Sequence, residues 1–336
     1  MRRTRQTMLG VLLLLGAALA GCKSWVPPRD DAWEGIPAKV LESEEMKAVF
    51  LPSQGAALVS ILDKRNGQEW CWQAPELRKA ACDEADKYVM RGGLEDMFPT
   101  VGACRITEGS WEGTRAPDHG EVWRRPWQVE SLQDGLRFNI QGEVFPYELV
   151  RTCRLAGSEL ELAYTVTNTG KEAFPFLYAA HPIFSVRGKM RILLSSGSRV
   201  VVQGSKGERL GKKGDIFPWP DVVAAEGEYL DASLVDDEQT DKTDKLFASN
   251  IREREVGLTD VDGGRRLVIK LNSSRLTSVG VWINMKAYPA GKPVSVVGLE
   301  PTTSPAETLT QAMADGTAIE LQPGQSLSWS YSIVLR

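Results

Sequence analysis

The chain has 336 residues, of which 42% are hydrophobic, 25% charged and 8% aromatic, with a formal net charge of −4. That length is ample for a large buried core, and all-β folds of this size often form one domain. Mild acidity without a basic stripe argues against a nucleic-acid partner, and the chain has two histidines, His119 and His181.

The first residues read as a leader and not as part of the fold. Arg2, Arg3 and Arg5 form a basic start, and the apolar run from Met8 to Ala20 is too short to span a bilayer comfortably. It ends in Leu19-Ala20-Gly21-Cys22, which resembles the lipobox of bacterial lipoproteins. Residues 1–21 are therefore expected to be a signal peptide, with Cys22 lipidated and holding the protein to a membrane. By the same resemblance, Lys23 after the cysteine implies the periplasmic face of the outer membrane. Residues 22–40, with Pro27-Pro28 and several charges, suit a tether. The folded domain is expected over residues 41–336.

Period-two alternation recurs along that domain. Leu136, Phe138 and Ile140 share one face of a predicted strand, and Leu160, Leu162, Tyr164 and Val166 share another, ending at Asn168-Thr169-Gly170. Leu267, Ile269 and Leu271 repeat the pattern, as do Val279, Val281 and Ile283. The tail does so from Leu327 to Leu335, after a Pro323-Gly324 turn. Helical periodicity is confined to Thr308–Ala314. Many short strands between Gly, Pro, Asn and Asp predict an all-β fold, a large antiparallel β-sandwich. The polar stretch from Gly204 to Asp244 reads as a long excursion over one face. Cys71, Cys82, Cys104 and Cys153 show no C-x-x-C spacing; disulfides and buried free thiols both remain open.

Three stretches carry candidate chemistry. Arg91-Gly92-Gly93 permits positive φ or close backbone approach. Pro117-Asp118-His119-Gly120-Glu121-Val122-Trp123 combines polar groups with an aromatic ring, as a sugar site would. His181 lies before Pro182 in Tyr178–Phe184, which predicts a strand end or rim, where an imidazole is a natural proton carrier. Glu300 stands among Val297, Gly298 and Leu299 and before Pro301; partial desolvation there would raise its pKa and suit a base.

Taken in order, these stretches resemble the aldose 1-epimerase (galactose mutarotase) family, from about Gly55 to the C-terminus. His119 precedes a glycine as the family's first histidine does. His181-Pro182-Ile183-Phe184 matches its second motif, with isoleucine replacing an aromatic residue, and Glu300 precedes a proline like the family's glutamate. The Arg91-Gly92-Gly93 stretch is closer to the hexose-6-phosphate 1-epimerase branch, but Trp123 stands where that branch has arginine. The resemblance implies a galactose mutarotase-like supersandwich that interconverts sugar anomers with no cofactor and no metal. His181 would be the acid, Glu300 the base, and His119 would orient the sugar. Arg91, Trp123, Trp282 and Asn284 are the expected substrate contacts, and the partner is a carbohydrate. A non-catalytic carbohydrate-binding protein on the same fold is the alternative.

Overall fold

The structure, a computed structural model, describes residues 23–75, 88–223, 227 and 229–336. The leader with Cys22, and Cys82, lie outside the described residues. The chain folds as two large antiparallel sheets packed face to face. One has 12 strands and contains, side by side, Ala57–Asp63, Gly93–Met97, Ala179–Ser185, Ser295–Thr302, Ser278–Met285, Lys242–Ser249 and Arg199–Ser205. The other has 9 strands and is centred on Arg266–Lys270, Ser326–Leu335, Glu159–Asn168, Tyr147–Ala156 and Gly135–Gln141. The large antiparallel β-sandwich expected from the alternation is the fold observed.

The core lies where the apolar faces meet. Leu94, Phe184, Leu299, Val281 and Leu246 from the larger sheet join Leu136, Leu149, Leu162, Ile269 and Tyr331 from the smaller one, all buried. At its centre is a fully buried ion pair. Arg151 Nη1 donates to Asp96 Oδ2 at 2.7 Å, while Tyr164 and Tyr178 hydroxyls each donate to Asp96 Oδ1 at 2.9 Å. Partners for both carboxylate oxygens make a buried charge tolerable.

The predicted strands fall where the alternation put them, and the single described α-helix, Leu309–Ala314, is capped by Thr308, whose side chain accepts from the Gln311 N–H. Two expectations change. Most of the expected tether is folded. Val26 N–H bonds Leu155 O at 2.9 Å, and Arg29–Trp33 and Ile36–Glu42 pair at the edge of the larger sheet. Their two-residue turn, Glu34-Gly35, has φ of 50° and 75°, the left-handed pair that matches strand twist in a tight hairpin. The polar excursion is also structured. Its strand Ile216–Pro218 edges the larger sheet, Leu234–Asp236 edges the smaller one, and Trp219 between them is buried. Cys71, Cys104 and Cys153 are free thiols.

Candidate active site

The other face of the larger sheet carries the site. Register aligns it across four strands. His181 pairs with Glu95 on Gly93–Met97, and Glu300 pairs with Gly280 on Ser278–Met285. Between them, Ala179 pairs with Thr302 and Ile183 with Gly298, which sets His181 opposite Glu300. Glu95, His181, Glu300 and Gly280 thus form one row, and period-two pleating points it away from the inter-sheet core. His181 lies within its strand and not at the end expected from Pro182.

His181 Nε2 lies 3.9 Å from Glu300 Oε1. Both side chains are almost fully buried, and Glu300 Oε1 has no hydrogen-bond partner among the described residues. Glu300 Oε2 accepts from Lys245 Nζ at 2.5 Å. Lys245 is opposite Trp282 on the next strand, two residues along from the Glu300 row and on the same face. The glutamate expected to stand alone among aliphatic residues therefore has an ammonium partner 55 positions away in sequence. Burial, then the positive charges of His119 and Lys245, push the His181 imidazole well below its usual value. Burial opposes charge on Lys245 as well, but the Glu300 and Glu307 carboxylates raise its pKa above the ordinary value.

His119 arrives from a loop. Its φ is 59°, and its N–H donates to Val101 O at 2.5 Å. Gly120 follows at φ 69°, where a Cβ would come within 2.1 Å of the Phe98 carbonyl oxygen. Two successive left-handed residues, one of them not glycine, carry a local cost that turns the imidazole toward His181. The two histidine rings meet edge to face with centroids 4.9 Å apart. His119 Nδ1 is 3.1 Å from Asp118 Oδ1. Burial opposes ionisation of Asp118, yet the hydrogen bond and charge of His119 keep its carboxyl below the usual range.

A cavity of about 340 Å³ opens over this row, lined by residues that include Tyr88, His119, His181, Trp282, Glu300 and Glu307. Its volume is at the small end of ligand cavities, typically about 300–1,000 Å³, and Trp282 gives it an aromatic wall. Larger clefts exist, such as one of about 600 Å³ beside Arg105 and Arg115, but none holds the His181–Glu300 pair. No group of three or more His, Cys, Asp or Glu side chains converges as metal ligands among the described residues.

Of the expected sugar contacts, Trp282 lines the cavity. The other three are occupied elsewhere. Arg91 is buried, donating to Glu95 Oε1 from Nε at 2.7 Å and to Trp123 O at 2.6 Å. Trp123 is buried beneath Arg91 and donates its indole N–H to Asp118 O at 3.2 Å. Asn284 spends its amide on Tyr288 O and Val294 O, each at 2.8 Å, and so pins the loop after its strand. Sequence reasoning missed Tyr88, Glu95, Lys245 and Glu307. Lys245 had a legible signal, a charged residue alternating with buried Leu246 and Ala248; Tyr88 had none.

The comparisons with known proteins agree with this architecture. The sequence model of the family described as Aldose 1-epimerase matches residues 39–334. Among solved structures, the Slr1438 protein from Synechocystis sp. PCC 6803 is 19% identical, with a TM-score of 0.66 over 93% of this chain and 98% of that one. A galactose mutarotase related enzyme from Lactobacillus acidophilus is 18% identical, with a TM-score of 0.63 over 89% and 97%. A galactose mutarotase-like protein from Clostridium acetobutylicum is 16% identical, with a TM-score of 0.64 over 93% and 99%. No curated protein matches by sequence.

Proposed function

The chain belongs to the aldose 1-epimerase family, and we propose that it interconverts the α and β anomers of a free reducing sugar. The observation that carries this reading is Glu300 Oε1, without a hydrogen-bond partner among the described residues, facing His181 Nε2 across 3.9 Å at the base of a sugar-sized cavity. Glu300 Oε1 takes the proton of the anomeric hydroxyl. His181 Nε2–H gives a proton to the ring oxygen, and the C1–O5 bond breaks with its electron pair going to O5. Rotation about C1–C2 and reversal of these steps closes the other anomer. His119 orients the sugar, and Trp282 supplies a flat face for the apolar side of the ring. Lys245 occupies Glu300 Oε2, so a single carboxylate oxygen faces the substrate. General acid–base catalysis of this kind contributes about a hundred- to ten-thousandfold in rate.

Polarimetry or NMR of pure anomers of several aldoses tests this. Equilibration faster than the spontaneous rate for at least one sugar supports the reading. Binding of a sugar with no acceleration replaces it with a carbohydrate-binding role. The leader supports a second, separate proposal, lipid attachment through Cys22 at the cell envelope. Metabolic labelling with a fatty acid, lost in Cys22→Ser, is the expected result, and a soluble unlabelled wild type ends it.

A further inference from the structure

We propose that Tyr88 and Glu95 are positioning residues for His181, which fix Nδ1 as the permanently protonated ring nitrogen and reserve Nε2 for exchange with the sugar. This rests on the acid role given to His181 above and extends it to two residues that make no part of that reading.

The geometry runs outward from Arg91. Its guanidinium binds Glu95 Oε1 through two nitrogens in a buried ion pair, leaving Glu95 Oε2 as a charged acceptor. The Tyr88 hydroxyl lies 3.1 Å from that oxygen and 3.2 Å from His181 Nδ1. A phenol has one proton and two candidate acceptors here. A carboxylate accepts a charge-assisted hydrogen bond about twice as strong as a neutral one. The hydroxyl therefore donates to Glu95, and its oxygen is left to accept from His181 Nδ1–H. In the neutral ring Nε2 then carries a lone pair, and it is Nε2 that faces Glu300.

The consequence is chemical. A proton at Nε2 is the second proton of an imidazolium. Giving it to the sugar ring oxygen breaks Nε2–H, forms O5–H and returns a neutral ring still protonated at Nδ1. With the opposite tautomer, the same transfer from a neutral ring would leave an imidazolate. Burial and the Glu95 charge raise the Tyr88 phenol well above its ordinary pKa, so it stays protonated and acts by position. Tyr88 also ties the two histidines together. Its ring stacks on His119 with centroids 3.6 Å apart and planes 5° apart, and its backbone N–H binds Asp118.

The chain has two histidines, so ¹⁵N-histidine labelling of the sugar-free protein gives two imidazoles to assign, with His119→Gln identifying His181. The expected spectrum above the His181 pKa is that of the Nδ1–H tautomer. In Tyr88→Phe, which keeps the ring stacked on His119, the Nε2–H tautomer should gain population. The same variant should lose about ten- to a hundredfold in kcat with KM little changed. A wild-type Nε2–H signature, or a tautomer unmoved by Tyr88→Phe, overturns the proposal. Either result leaves the epimerase reading standing, because that reading is decided by anomer equilibration and this one by a spectrum taken without sugar.

Discussion

Gly280 faces Glu300 across one rung of the larger sheet, and its missing side chain is what gives the carboxylate room. A Cβ at Gly280 would lie 2.7 Å from Glu300 Oε2 and 3.2 Å from Glu300 Cβ. Gly298, two residues before Glu300 on the same face, leaves a similar gap, with Oε1 at 3.1 Å. Gly280→Ala should therefore displace the carboxylate and leave the strand paired. The expected outcome is a kcat loss of about tenfold or more, since a displacement near 1 Å costs up to about a hundredfold. Far-UV circular dichroism should be unchanged. Wild-type kcat in that variant would show that the carboxylate position tolerates crowding.

Glu300→Gln keeps the shape and removes the proposed base. Anomer equilibration should slow by about a hundred- to ten-thousandfold, read by polarimetry. Trp282→Ala, by contrast, should raise KM about tenfold, equivalent to about 1.4 kcal/mol of lost contact, with a smaller change in kcat. Asn284→Ala should do neither directly, because its amide holds backbone carbonyls and not the cavity; lower thermal stability is its expected signature.

The pH response follows from His181. Its pKa is held well below 6.5 by burial, with His119 and Lys245 adding to the effect. The proposed reaction needs the imidazolium, which disappears as pH rises through that depressed value. The kcat/KM should thus fall with increasing pH, with a midpoint below 6.5. Stability moves the other way. In the window between the folded and unfolded pKa values the unfolded chain binds the proton and the folded one does not, so stability falls as pH drops below about 6.5. Urea midpoints from pH 7 to pH 5 should decline more steeply in wild type than in His181→Asn.

The Arg151–Asp96 pair between the sheets is a test of the core and not of the site. Arg151→Met strands a buried carboxylate and should cost about 3–5 kcal/mol in urea unfolding. Combining it with Asp96→Asn removes the stranded charge and should recover part of that loss. If the single variant is as stable as wild type, Asp96 does not need its partner.

What the sequence by itself determined is the class of fold and the identity of three chemical groups. Alternation at Leu136–Ile140, Leu160–Val166 and Leu327–Leu335 requires strands with one apolar face, and many such strands close only as packed sheets. His119, His181 and Glu300 were legible because their motifs are local. The hairpin at Glu34-Gly35 was obscured by the prolines and charges before it.

Only the tertiary structure decided what surrounds those three groups. A period of two says which residues share a face but not which strand lies alongside. Tyr88 meets His181 across 93 positions and Lys245 meets Glu300 across 55, through strand order that no local pattern encodes. Arg91, Trp123 and Asn284 look like sugar contacts in one dimension because polar and aromatic side chains serve binding and support alike. Pairing in three dimensions commits a donor of each to a buried carboxylate or a backbone carbonyl.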